Sequence, residues 1–132
     1  MRSKKILLID DDEDDQLMFC DALNEINSSV ECAVVNNGQA GLDYLYHNPP
    51  PPDIIFLDLN MPIMNGYECL TALKQQDSYK DIPVIIFSTS SSPVDIAKTK
   101  KLGADVFITK PNDYDALRAK LGNIINSDYS MS

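Results

Sequence analysis

Five short apolar runs, each followed by a stretch with helical spacing, constrain this chain more than any other feature. Ile6–Ile9, Ile54–Leu57 and Val84–Phe87 contain no polar residue, the pattern of strands buried on both faces. Val30–Val35 is interrupted by Glu31 and reads as a strand at the edge of a sheet, and Asp105–Thr109 is the last run. Strands alternating with helices five times over predict an α/β fold. A parallel sheet is covered by helices on both faces, in three layers joined by right-handed crossovers. In such open sheets ligands bind just beyond the carboxyl ends of the strands.

The helices are legible from spacing and punctuation. The first runs to about Ile26 with Phe19, Ala22, Leu23 and Ile26 on one face, and Asn27-Ser28-Ser29 closes it. The second follows the turn Asn36-Asn37-Gly38 and runs to about Tyr46 on Ala40, Leu42 and Leu45; the third spans Tyr67 to about Gln75, with Leu70, Leu73 and Cys69 inward. Ser92-Pro93-Val94-Asp95 reads as N-cap, first-turn proline and first-turn acid of a fourth helix that Gly103 stops. The fifth begins near Asp113 and buries Tyr114, Leu117, Leu121, Ile124 and Ile125. The whole of 1–132 is expected to form one domain with its core at about 4–126 and a frayed tail at 127–132.

Composition excludes several classes. A formal charge of −9 offers nothing to offset phosphate repulsion and argues against nucleic acid and an anionic membrane surface. The apolar run behind Met1–Lys5 is too short for a leader or a span. Cys20, Cys32 and Cys69 show no C-x-x-C spacing and read as small core hydrophobes in a reducing, cytoplasmic setting. His47, the one histidine, reads as a dipole partner at a helix end. Asn48 and the four prolines Pro49–Pro52 form a stiff spacer; an SH3-type ligand is the alternative.

The strand ends carry the chemistry. The first run stops at Asp10 and Asp11, the third at Asp58, the fourth at Ser88 and Thr89, and the fifth at Lys110. Asp58 could simply cap a turn, and Asp12–Asp15 suit the N-terminus of the first helix. Taken together, however, the crossovers gather three carboxylates, a hydroxyl and an ammonium on one edge. Carboxylates so crowded repel unless a cation compensates them, and an all-oxygen set suits Mg²⁺. Asp58 can then act as a carboxylate nucleophile toward a phosphoryl group, with Lys110 and the hydroxyl of Ser88 on its oxygens.

With those motifs in place the chain resembles the receiver domain of two-component response regulators. The likeness is carried by ILLIDD at Ile6–Asp11, DIIFLDLNMPIMNG at Asp53–Gly66, VIIFS at Val84–Ser88 and GADVFITKP at Gly103–Pro111. It implies a flavodoxin-like sheet of order 2-1-3-4-5 and a stand-alone, chemotaxis-regulator-like phosphorelay protein. Asp58 would be the phosphoacceptor, charged by a histidine kinase, a phosphotransfer protein or a small phosphodonor. Asp11 would be a direct ligand of Mg²⁺, Asp10 a partly water-mediated one, and Asn60 would contribute its backbone carbonyl. Ser88 would be the switch hydroxyl, with Thr89 beside it as the other candidate, and Phe107 the switch aromatic in place of the common tyrosine. Lys110 would bind phosphate, and Lys110–Pro111 would be cis. Output would run to a partner protein through the face of helix four, strand five and helix five. A phosphorylation-dependent homodimer is also implied, and no output domain is expected.

Two other classes compete. A Mg²⁺-dependent aspartyl-phosphate phosphatase places its nucleophile after the first strand with a second acid two residues on, whereas here the strand is the third and position 60 is Asn. A flavodoxin-like cofactor carrier needs a glycine- or hydroxyl-rich phosphate cradle after the first strand, where this chain has Asp10–Asp15. A signalling switch that phosphorylates and dephosphorylates itself is therefore expected, not a turnover enzyme.

Overall fold

The apolar runs become β1 (Lys5–Ile9), β2 (Glu31–Val35), β3 (Ile54–Leu57), β4 (Val84–Ser88) and β5 (Val106–Thr109) of one parallel sheet in the computed structural model, which describes residues 4–126. The strand order is β2-β1-β3-β4-β5, so Val30–Val35 supplies the edge strand expected of it. The chain reverses between β1 and β3, with Ile9 level with Leu57 and with Val35. That reversal is the topological switch point, and it opens the crevice at the carboxyl edge. The frayed tail expected at 127–132 lies outside the described residues.

Helices α1 (Glu13–Ile26) and α5 (Tyr114–Ile125) cover one face, and α2 (Gly38–His47) and α3 (Gly66–Lys74) the other. Alternate strand residues serve the two cores. Ile6, Leu8, Phe56 and Phe87 pack with Phe19 of α1, whose ring meets Phe56 edge-on at 4.9 Å. Leu7, Ile9, Leu57 and Ile86 pack with Leu45, Leu70 and Leu73. Helix α4 (Pro93–Lys101) differs, since Thr99 is its one buried residue. Little apolar area holds it to the sheet, which places it at the low-stability end of the structure.

Local chemistry sets the helix ends. Asp12 accepts from the Asp15 N–H, Asn37 from Ala40, Ser92 from Val94 and Asp113 from Ala116. At α3, Asn65 and Glu68 exchange side-chain and backbone bonds in a capping box, which starts the helix at Gly66. Gly66 is obligatory for a different reason. A Cβ there would stand 2.2 Å from the carbonyl oxygen of Asp58. Gly103, past the end of α4, takes the left-handed conformation at φ 109° that stops the helix. Ile63, in the β3–α3 loop, adopts φ 68° although β-branched, a conformation costing about 1–2 kcal/mol.

Two expectations are corrected. Lys110–Pro111 is trans, the form an X–Pro bond prefers by about 0.5–1 kcal/mol. Among the described residues the cis bond is Pro49–Pro50. Of the cysteines, Cys69 is a buried core residue, but Cys20 and Cys32 are only half-buried. The reason is position: β2 is the edge strand of the sheet, so its side chains are covered from fewer sides.

Candidate functional site

The carboxyl edge brings together Asp10, Asp11, Asp58, Ser88 and Lys110 from four strand ends. Asp10 leaves β1 fully buried. Its N–H donates to Val35 O at 3.0 Å, its carbonyl accepts from Gln16 Nε2 at 2.6 Å, and its Oδ1 accepts from the Asp12 N–H at 3.0 Å. Oδ2 faces Lys110 Nζ at 2.9 Å as an ion pair, yet no aligned hydrogen bond reaches it. Burial pushes this carboxyl above the usual carboxylate range, against the pull of the Asp12 amide and Lys110.

Asp58 follows β3 in the same way. Its N–H donates to Ile9 O at 2.9 Å and its Oδ1 accepts from the Leu59 N–H at 2.8 Å. With 6 % of its surface exposed, the carboxyl is pushed up to about 6, mainly by burial and further by Asp10 and Asp11, against the pull of Lys110. Asp11 is exposed beside it, and Asn60 is exposed two residues further on. Ligand oxygens of Asp10, Asp11 and Asp58 lie within 4.8 Å of one another. Three hard oxygen donors, one of them a buried oxygen without a hydrogen bond, fit a divalent cation such as Mg²⁺ or Mn²⁺.

Lys110 leaves β5 with its N–H on Ser88 O at 2.7 Å. Its ammonium stands 2.7 Å from Asp15 Oδ2, 2.9 Å from Asp10 Oδ2 and 3.5 Å from Asp58 Oδ2. Burial would lower its pKa, but the carboxylates of Asp15, Asp10 and Asp58 overcome that and raise it. Asp15 is the residue sequence reasoning missed. The sequence places it among several acids at a helix N-terminus, and in the first turn of α1 it reaches Lys110. No spacing signal aims it there, because Asp11 precedes the N-cap Asp12 and lies outside the helix.

Ser88 is fully buried, and its Oγ accepts from the Ser90 N–H at 3.2 Å; Thr89 is exposed. Ser90 starts a relay that sequence reasoning also missed. Its Oγ donates to Asp95 Oδ2 at 2.6 Å, its carbonyl accepts from Thr109 Oγ1 at 2.9 Å, and Asp95 also accepts from the Tyr67 hydroxyl of α3. Phe107 is half-buried beside a groove of about 80 Å³ lined by Ile96, Thr99, Lys100 and Ala104.

Known proteins are similar to this chain in sequence and fold. The family model of the response regulator receiver domain matches residues 6–122. Response regulator Rcp1 of Synechocystis sp. is 32% identical over 112 residues, which is 81% of this chain and 76% of that one. The crystal structure of the phosphorylated cyanobacterial phytochrome response regulator RcpA is similar at TM-score 0.88 and 32% identity, covering 98% of this chain and 95% of that one. The Mn²⁺-bound form of Rcp1 is similar at TM-score 0.85 and 28% identity, covering 98% and 96% of the two chains.

Proposed function

Since the chain belongs to the response regulator receiver domain family, we propose that it is the phosphoacceptor of a two-component phosphorelay, with Asp58 as the residue that carries the phosphoryl group. The observation behind this reading is the Asp58 carboxylate, sunk at a strand end 3.5 Å from the Lys110 ammonium and within reach of two further acids.

The residues divide the work. An Asp58 carboxylate oxygen attacks the phosphorus of a phosphohistidine or a small acyl phosphate. The bond to the leaving group breaks as the new P–O bond forms. Lys110 leaves Asp15 and takes one phosphoryl oxygen, and the Ser88 hydroxyl turns from Ser90 to donate to another. A divalent cation held by Asp10, Asp11 and Asp58, with the backbone carbonyl of Asn60, would neutralise the oxygens of the incoming group. Hydrolysis of the acyl phosphate later resets the protein, so it turns over no external substrate.

The signal leaves through α4, β5 and α5. Ser88 gives up the Ser90 N–H, Phe107 moves into the groove beside Thr99, and α4, weakly packed, shifts with them. A partner protein reads that face; a second copy of this chain is one such reader. A histidine kinase or phosphotransfer protein supplies the phosphate. Incubation with acetyl phosphate and Mg²⁺ should add one phosphoryl group to the intact protein, and Asp58→Asn should add none. Undiminished labelling of that variant would refute the assignment.

A further inference from the structure

On the side of the sheet away from α4, a second pair of reactive groups meets. Cys20, midway along α1, places its sulfur 3.5 Å from that of Cys32, the second residue of the edge strand β2. The two thiols share a single hydrogen bond, and each is half-buried, not sealed. Cys32 points with Val34 toward the α1 face, packed on the margin of that core. Among the described residues no strand lies beyond β2 in the sheet. Small oxidants can therefore reach a pair of sulfurs that already touch. The third thiol, Cys69 of α3, is fully buried on the other face and contacts the Gly38 carbonyl at 3.8 Å.

We propose that Cys20 and Cys32 are a redox-active dithiol, which hydrogen peroxide oxidises to an intramolecular disulfide tying α1 to β2. The Cys20 sulfur attacks a peroxide oxygen, the O–O bond breaks, and one water leaves once the departing hydroxide is protonated. Cys20 is then a sulfenic acid. The Cys32 sulfur attacks the Cys20 sulfur, the S–S bond forms, and the S–O bond breaks. The hydroxyl departs with the Cys32 proton as a second water. Two thiols lose two electrons, and one peroxide gains them. Cys20 is the first nucleophile because the contact between the two sulfurs lowers its pKa, while that contact and burial raise Cys32. A bonded pair has sulfurs about 2 Å apart, so oxidation must draw the two together from 3.5 Å. This inference does not depend on the acceptor role of Asp58.

The test is peroxide treatment of the whole protein, followed by alkylation and non-reducing peptide mapping. The expected result is one peptide pair joined through Cys20 and Cys32, two hydrogens lighter than its parts, with Cys69 alkylated as before. Cys32→Ser should instead leave a sulfenic acid on Cys20 that dimedone traps, and Cys20→Ser should leave Cys32 as a free thiol. Recovery of both peptides unlinked from the wild type would overturn the proposal. So would a link to Cys69, or a cross-link only between two molecules.

Discussion

Asp15 holds the Lys110 ammonium at 2.7 Å, closer than the carboxylate of Asp58 at 3.5 Å. The ammonium that the proposed phosphoryl group needs is thus engaged by a residue whose backbone N–H is itself held by Asp12. Charge-assisted hydrogen bonds of this kind contribute about 1.5–3 kcal/mol, and phosphorylation has to displace this one.

Asp15→Asn should therefore speed acetyl phosphate labelling of Asp58, by about threefold to tenfold if half or so of that energy is recovered in the transition state. A time course resolved on a phosphate-affinity gel would measure it. An unchanged or slower rate would show that Asp15 does not compete for Lys110.

Asp58 imposes a pH dependence on stability with an unusual sign. Its folded pKa of about 6 lies above the unfolded value of about 3.9. Between those values the folded protein keeps a proton that the unfolded chain has released. The contribution of Asp58 to stability thus falls as pH rises through about 4 to 6, then stays level. Asp58→Asn should remove that loss and stabilise the cation-free protein by about 3 kcal/mol at pH 7.5, with little gain at pH 4. Urea midpoints followed by circular dichroism at the two pH values would check it. Parallel pH profiles for the two proteins would contradict it.

For the metal, Asp11→Ala should weaken Mg²⁺ binding more than Asp10→Ala. Asp11 is exposed and open to a cation, whereas Asp10 is buried against Lys110 and the Asp12 amide. A loss of tenfold or more is expected for Asp11. The chain has no tryptophan, so calorimetry or NMR shifts are the suitable readouts. Equal affinity in the wild type and both variants would exclude a site at these acids.

The switch can be uncoupled from the chemistry. Ser88→Ala should still be labelled on Asp58 but lose the phosphate-dependent change at Phe107, because no hydroxyl leaves the Ser90 amide. Phe107 has no hydroxyl to gain a polar contact, so burial of its ring must supply the bias, at most about 1.5–3 kcal/mol. Ring resonances with and without beryllofluoride would report the coupling. Should Thr89→Val abolish the ring shift while Ser88→Ala preserves it, Thr89 would be the switch hydroxyl.

Gly66→Ala should destabilise by about 2 kcal/mol or more, since its Cβ would meet the Asp58 carbonyl at 2.2 Å and backbone cannot yield cheaply. Thermal unfolding would measure this. A variant as stable as the wild type would mean that the loop relaxes freely.

The strands and their order of burial were legible because three wholly apolar runs allow only central positions in a parallel sheet. The strand-end residues followed from that arrangement, as side chains just past a strand need no helical phase to be placed. Asp15 was not legible as a Lys110 partner, because its direction depends on α1 starting at Glu13, and an acidic run gives no sharp start. The Cys20–Cys32 approach depends on how closely α1 lies over β2, which spacing along the chain does not encode. The trans bond before Pro111 reflects a small preference that the surrounding sequence leaves open.

The β3–α3 loop is fastened at both ends. Gly66 N–H donates to Leu59 O at 2.9 Å, and Gly38 N–H of α2 donates to Met64 O at 3.1 Å. Work done at Asp58 meets a braced wall on that side, where two helices share one anchor. On the other side stands α4, with Thr99 alone sunk into the body. A push applied between a fixed support and a loose one travels toward the loose one, so the route of the message is set by where the molecule yields, before any listener arrives.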